Sequence, residues 1–505
     1  MSQAADQPSV VIIGAGIGGM SAAIQLARNG FAVTLLEKNY HLGGKLNIIE
    51  TQGFRFDLGP SIFTLPQFFL PLFEESGKRL EDYISLQRVD PQWRNFFEDG
   101  TTIDLRENLE DMRGELLRFG PGSFEEYEKF LTYSRRQWDI VERGYLRQGF
   151  DTFTQFMRFY SWRDARDLDF LHTMDGSIRR RVQNPYLRDI FAYFIKYVGS
   201  SASAAPGFMN LMPAIQLEFG LWYLQGGLYE LARAFGRRLA EVGVDVRLGC
   251  EVLQIKKDHD RVTGVMASTS EGIDRPFQAD YVISNMEVIP ATERLLNEPP
   301  RKLKRLARFE PSCSGIVLHL GLDRVYPQLA HHNFFYSRNQ RQHFDRVFRH
   351  KRLPDDPTIY LVAPTRTDPS QAPPGHDNIK ILPHIPYINE KHPYTHEDCI
   401  ALKELCLDKL DRMGLHDLRR HIVVEDFWTP FDIQDRYYSN CGSIYGVVSD
   451  RLRNFAFKAP KQSHDYRNLF FVGGSVNPGG GMPMVALSGQ HVARMIIDGR
   501  RRGRI

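Results

Sequence analysis

The stretch that most constrains what this chain can fold into is residues 9–38, SVVIIGAGIGGMSAAIQLARNGFAVTLLEK. An apolar run enters the series Gly14, Gly16, Gly18 and Gly19, a helical pattern follows, and a second apolar run closes on Glu37 and Lys38. Strand, glycine turn, helix and strand in that order make a parallel βαβ unit in which each glycine has a use. Gly14 turns the chain tightly, Gly16 lets backbone approach a pyrophosphate, and Gly19 lets helix and strand pack closely. The helix start offers unpaired N–H groups and positive dipole to phosphate. Glu37 stands about 20 residues on, where a carboxylate accepts hydrogen bonds from the adenosine ribose hydroxyls. Its charge favours a free ribose, hence FAD or NAD rather than NADP.

The following segment, NYHLGGKLNIIETQGFRFDLGPS, adds the pair Gly43 and Gly44, the cation Lys45, and a turn through Asp57, Leu58, Gly59, Pro60 and Ser61. At the other end of the chain, LFFVGGSVNPGGGMPMVALSGQ places Gly473, Gly474, Gly481 and Met482 between an apolar strand and a last helix. Glycine so dense costs backbone entropy and belongs where something approaches the main chain closely. The run from Gly14 to Ser61 and this closing motif together resemble the amine-oxidase-like flavoproteins and, within them, the carotenoid desaturases and oxidases.

That resemblance implies FAD as cofactor, with Lys45 near the pyrophosphate and Gly59, Pro60 and Ser61 beside the isoalloxazine. It also implies the Val252 backbone near the adenine and Gly226-Gly227 near the flavin. The expected fold is α/β: a three-layer Rossmann-type FAD-binding domain from residues 1–67, 224–308 and 439–505, with an inserted α+β substrate domain from 68–223 and 309–438. Segments such as PQWRNFFEDGTTIDL, YFIKYVGSSASAAP and YPQLAHHNFF resemble the terminal-methyl oxidases of linear C30 carotenoids more than the desaturases. The implied activity is oxidation of a terminal methyl to aldehyde or acid. Carotenoid desaturation is the alternative. Flavin-free prenyl-binding carriers share a related fold, and Glu37, Lys45 and NPGGGMPM, which a carrier would not need, argue against that reading. Molecular oxygen is the expected electron acceptor or atom source.

Composition narrows the field further. The 505 residues are 42% hydrophobic and 25% charged, ordinary globular values, and 64 basic against 61 acidic residues do not suggest a nucleic-acid binder. Cys250, Cys313, Cys399, Cys406 and Cys441 show no paired spacing and read as reduced thiols, which with a short polar start points to the cytoplasm. The uncharged run YVGSSASAAPGFMNLMPAIQL carries serines, prolines, Asn210 and Gln216 and is too polar to span a bilayer, though it reads as a possible exposed apolar surface. Arg494, Arg500, Arg501, Arg502 and Arg504 form a basic tail that reads first as frayed and solvated, with attraction to an anionic membrane face as the alternative, and peripheral membrane association is expected mainly from the substrate's solubility.

The first insertion reads as largely helical and aromatic, and the second alternates like sheet. No metal site is expected: His331 and His332 are adjacent, and neighbouring residues of an extended segment face opposite ways. No catalytic residue stands out. Glu218 beside FGLWY is a conceivable proton acceptor if it lies in an apolar wall.

Overall fold

The computed structural model describes residues 7–74 and 77–502. Its centre is a five-stranded parallel sheet in the order Leu469–Phe471, Tyr281–Ser284, Ser9–Ile13, Ala32–Glu37, Asp245–Leu248. Leu469–Phe471, Tyr281–Ser284 and Ser9–Ile13 are short apolar runs buried on both faces, as parallel strands covered on two sides must be, whereas the edge strand Asp245–Leu248 is largely exposed. One face carries the helices Ile17–Arg28, Tyr229–Glu241 and Met482–Arg501 over a core including Val10, Ile12, Leu35, Phe235 and Ile496. The other packs on an antiparallel sheet of Glu251–Asp258, Arg261–Ser268 and Asp274–Gln278 through Val11, Val252, Val265 and Leu469. The result is the expected three-layer α/β architecture.

A second, larger sheet runs Ile422–Trp428, Val317–Leu322, Asp377–Ile385, Ile359–Val362, His332–Phe335, Trp93–Phe96, Thr102–Leu105. Its last two strands come from the first insertion, which the sequence reading takes as largely helical. They form a hairpin, closed where Phe97 N–H donates to Thr101 C=O at 2.9 Å, and are four residues each. Strands that short carry too little alternation to be told from loop. Helices from 109 to 219 cover the sheet with a continuous aromatic and aliphatic core that includes Trp93, Phe130, Phe191, Phe194 and Phe334.

Two expectations change. The uncharged run after Lys196 is no exposed surface: Ala202, Ala205, Leu211, Met212, Ala214 and Leu217 are buried, because its prolines and glycines fold it into short helical turns against Gly122–Val141. The basic tail is not frayed through Arg502: the helix continues to Arg501, where cations suit the negative end of its dipole, and Arg500 lies over the Phe31 ring. Arg504 lies outside the described residues. No helix among the described residues is long and apolar enough to cross a membrane.

The tightest helix pair is Ile17–Arg28 against Met482–Arg501. A Cβ on Gly489 would stand 2.2 Å from the Gly18 carbonyl oxygen and 2.9 Å from the Ala22 nitrogen. Gly489→Ala therefore forces the helices apart and is expected to cost about 1–3 kcal/mol. Gly114→Ala, in a helix with nothing near the added carbon, should be neutral or stabilising by up to ~1 kcal/mol. Thermal melting of the two variants checks this, and equal melting temperatures would contradict it.

Candidate active site

The carboxyl ends of the parallel strands open into one continuous cavity of about 690 Å³. It begins where the strand order reverses between Ser9–Ile13 and Tyr281–Ser284, the crevice in which such sheets take ligands. Gly14 and Gly16, Glu37 and Lys38, Gly43 to Lys45, Gly59 to Ser61, Val252, Gly473, Gly474, Gly481 and Met482 all line it. Gly18 and Gly19 do not. A Cβ on Gly18 would stand 2.8 Å from Asn285 Oδ1, and one on Gly19 would stand 2.3 Å from the Gly14 carbonyl oxygen. Their role is packing of helix on strand.

The nucleotide end is built for an anion. The helices Ile17–Arg28 and Met482–Arg501 start at Gly16 and Gly481 with no side-chain cap from those residues and no acid in the first turn, so their dipoles and first N–H groups are open to a ligand, apart from Gly19 N–H, which Asn285 takes. Gly43 N–H donates to Ala15 C=O at 2.9 Å, and a Cβ on Gly44 would sit 3.3 Å from the Gly16 Cα, so two glycine turns lie backbone on backbone. Buried Glu37 accepts from Ala15 N–H at 2.7 Å and from Asn39 N–H at 2.9 Å, which fixes its carboxylate at the cavity wall. Lys45 Nζ lies 3.5 Å from Glu287 and donates to the Ser443 carbonyl at 3.0 Å. Burial pulls the Lys45 amine down and pushes the Glu287 carboxyl up, each partly offset by the other. The accessible part of Lys45 faces the cavity, as its place in the lining requires. Lys38 Nζ sits 3.4 Å from the centre of the Tyr438 ring.

Sequence reasoning did not find Asn285, Glu287 or Lys380. Asn285 follows a buried strand, lines the crevice, and accepts from Gly19 N–H at 3.1 Å; a polar residue just past an apolar run at the switch point was the available signal. Lys380 reaches the 57–61 turn from Asp377–Ile385, donating to the Asp57 carbonyl at 3.0 Å, to Ser61 Oγ at 3.1 Å, and to the Gly59 carbonyl. Burial lowers its pKa to about 8. A lysine inside the run NIKIL was visible, but its destination depends on sheet pairing.

Gly226 and Gly227 do not line the cavity. Their turn is fixed by carboxylates: Gly226 N–H donates to Asp368 at 2.9 Å, and Asp57 accepts from Leu228 and Tyr229 N–H at 2.7 and 3.1 Å, covering the start of Tyr229–Glu241. Glu218 is not in an apolar wall either; it pairs with Arg135 at a partly exposed surface. His331 and His332 are both buried and their rings lie 4.4 Å apart, so they are not on opposite sides. His331 bonds Thr367 Oγ at 2.7 Å and His332 bonds the Tyr360 hydroxyl at 2.9 Å, and burial lowers both pKa values. No group of three metal-ligating side chains occurs among the described residues.

Beyond the 57–61 turn the same cavity becomes apolar, walled by Leu65, Val141, Tyr197, Met212, Ile215, Tyr360 and Leu382, and reaches Phe153, Phe170 and Phe455. One continuous space thus joins a glycine-rich end with open helix starts to an aliphatic and aromatic one. An extended dinucleotide with a flat ring system fits the first part, because glycine backbone and two open helix starts meet it where a side chain would intrude.

Comparison with known proteins agrees with this geometry. The family described as flavin containing amine oxidoreductase matches residues 17–497. A 4,4′-diapolycopene oxygenase of Methylomonas sp is 55% identical over 97% of this chain and 98% of its own length. A 4,4′-diaponeurosporene oxygenase of Staphylococcus aureus (strain USA300) is 50% identical over 96% of this chain and 97% of its own. Among solved structures, a putrescine oxidase bound to putrescine shares the fold with a TM-score of 0.65 at 16% identity, over 98% of this chain and 99% of that one. The chain belongs to the flavin containing amine oxidoreductase family and is an FAD-dependent oxidoreductase.

Proposed function

We propose that this enzyme oxidises the terminal methyl group of a linear C30 carotenoid to the aldehyde or acid, with FAD held at the sheet edge and the polyene in the apolar arm. The observation that carries the reading is the continuity of that cavity, whose apolar lining beyond the 57–61 turn suits a hydrocarbon with no hydrogen-bonding handles. Near-full-length identity to two named C30 carotenoid oxygenases supports it. The N–H groups of the Gly14–Gly16 turn and the Ile17–Arg28 start would hold the pyrophosphate, Glu37 the ribose, Lys45 the phosphate side, and 59–61 with Gly481 and Met482 the ring. Bound flavin supplies a two-electron acceptor. The protein aligns the chain end against it and keeps out water, using shape alone along the polyene.

The residues that would deliver such a substrate lie at the open end. Two short helices, Phe153–Phe159 and Trp162–Asp167, bury none of their residues. Each is fixed by a reciprocal cap, Thr152 with Gln155 and Ser161 with Asp164, so the exposure is built rather than frayed. Trp162 is 68% exposed, Leu171 83% and Leu452 74%. Phe153 and Phe455, rings 5.9 Å apart, are half exposed and also line the cavity. Arg163 and Arg166 flank the Trp162 ring. Apolar tips among arginines at a cavity mouth suit the interface of an anionic bilayer. The proposed setting is the cytoplasmic membrane face, with molecular oxygen as electron acceptor or atom source.

Three outcomes test these assignments. Incubation of the flavin-loaded enzyme with diaponeurosporene in liposomes under oxygen-18 gas should give a product of one added carbonyl, its label reporting whether oxygen or water supplies the atom; loss of two hydrogens without oxygen would instead mean a desaturase. Glu37→Gln should weaken FAD binding by about 1.5–3 kcal/mol through loss of charged hydrogen bonds, and an unchanged dissociation constant from flavin fluorescence would remove Glu37 from the ribose site. Replacing Trp162, Leu452 and Phe455 together by serine should release the protein from sedimenting anionic vesicles while leaving bound FAD unchanged; undiminished co-sedimentation would place the docking face elsewhere.

A further inference from the structure

Lys380 is the inner end of a row of titratable side chains that crosses the large sheet. In the antiparallel register His319 lies directly opposite Lys380 on one side and opposite Asp426 on the other. Residues so aligned share a face of the sheet, with Cβ atoms about 4.5–5.5 Å apart. His319 Nδ1 bonds Asp426 Oδ2 at 2.9 Å. The histidine is buried, whereas Asp426 on the outer strand is 28% exposed. The row therefore runs from the cavity wall to solvent.

Between its members lies a separate small cavity of about 20 Å³, lined by Asp57, Ser61, Tyr223, His319 and Lys380 among others. That volume holds one water, which needs two to four polar partners. His319 Nε2 has no partner of full hydrogen-bond geometry among the described residues, only the Asp57 backbone carbonyl close enough to raise the histidine's pKa. An imidazole fixed by a carboxylate at one nitrogen, with its other nitrogen unspent beside a water-sized space next to a lysine, is an arrangement that stability does not explain. Leaving a buried polar atom unpaired costs about 1–3 kcal/mol.

We propose that Lys380, a water in this small cavity, His319 and Asp426 form the proton path between the flavin-side turn and solvent. The proposal rests on the functional reading above for the origin of the proton. Oxidation of an alcohol-level chain end to the aldehyde removes one C–H hydrogen with its electron pair, for which FAD held in this cavity would supply the two-electron acceptor. It also breaks the O–H bond, forming C=O, and that hydroxyl proton passes to the neutral Lys380 amine. The ammonium hands it through the water to His319 Nε2 while Nδ1 releases its proton to Asp426 and out. Burial keeps Lys380 near a pKa of about 8, so both its forms are populated at mildly alkaline pH. The lowered His319 pKa, set by burial and opposed by Asp426, keeps the ring neutral between transfers. Asp57, Arg55 and His331 also face this small space and set the local field. Lys380 touches the site; His319 and Asp426 act through it as relay residues.

The test uses the flavin-loaded protein and two readouts, bleaching of the flavin and proton exchange with the medium followed by a pH dye. In the wild type, oxidation of the carotenoid alcohol should release protons in step with bleaching. Without carotenoid, flash photoreduction of the flavin with EDTA as the sacrificial electron donor should take up protons equally promptly. In Asp426→Asn and His319→Leu, proton appearance or uptake should lag bleaching at least tenfold, and Asp426→Glu should restore synchrony. A structural defect would slow both signals together, so parallel slowing, or prompt proton exchange in Asp426→Asn, overturns the path. If the wild type fails to oxidise the carotenoid alcohol while the photoreduction lag still appears in the variants, the path stands and the substrate reading falls.

Discussion

Backbone packed against backbone, with no side chain between, is the constraint from which the rest of this structure follows. A Cβ on Gly59 would stand 1.9 Å from the Lys45 carbonyl oxygen, one on Gly446 would stand 2.5 Å from the Gly474 carbonyl, and one on Gly480 would stand 2.4 Å from the Tyr445 carbonyl oxygen. These contacts join successive turns of the chain, and the contact of Gly489 with the Gly18 carbonyl oxygen joins its two ends. Their absence of side chains draws the glycine turns together and leaves main-chain N–H groups, rather than bulky groups, around the crevice. The positive φ values of Gly14 and Gly481 place the turns where other residues would be strained. Packing and cofactor recognition are thus one requirement, and Gly16 shows it: its Cβ would meet Asn285 Nδ2 at 2.4 Å even before any ligand is considered.

What was legible in the sequence is what local chemistry dictates. The βαβ unit, the acidic residue ending its second strand and the closing glycine motif are each contained within a few dozen residues, and all but Gly18 and Gly19 of the residues they nominated line the cavity. What was not legible depends on pairing across the chain. The hairpin Trp93–Phe96 and Thr102–Leu105 is held by His332–Phe335, about 240 residues away, so nothing near it announces its place. Lys380 is aimed by its strand register, and Glu287 matters because Lys45 comes to it from the other side of the crevice. The stretch after Lys196 misled for the converse reason: its serines and prolines look like surface, yet Ser200 and Asn210 are buried, Ser200 Oγ accepting from Ser449 N–H and Asn210 Nδ2 donating to the Met174 and Gly207 carbonyls.

The apolar arm raises a different physical question, since several polar groups stand just behind its walls. Lys196 is buried among the rings of Trp93, Tyr197, Phe334 and Tyr360, its Nζ 4.0 to 5.0 Å from their centres. Burial pulls its pKa well below the ordinary value, so the amine is held either neutral or against the electron-rich faces of the rings. His384 bridges the Tyr193 and Tyr445 hydroxyls at 3.3 Å each. Such groups are costly in an apolar setting unless paired, and here each is paired with an aromatic face or hydroxyl rather than with water. The wall that meets the polyene stays hydrocarbon, while behind it a bonded layer fixes the tyrosines Tyr197, Tyr360 and Tyr445 that line it.

A rigid wall matters most for a substrate that offers nothing to grip. An enzyme that binds a charged amine can orient it by one ion pair, but a polyene end is placed only by contacts each worth a fraction of a kcal/mol, about 0.1–0.2 for an optimal atom pair. Those sum to a defined position only if the wall does not give way, because misplacement of about 1 Å can cost on the order of a hundredfold in rate. The division of the cavity follows from that demand. Glycine and open helix starts serve the cofactor, rings stiffened from behind serve the chain, and the polar groups that could move protons are gathered at Lys380, where the two meet.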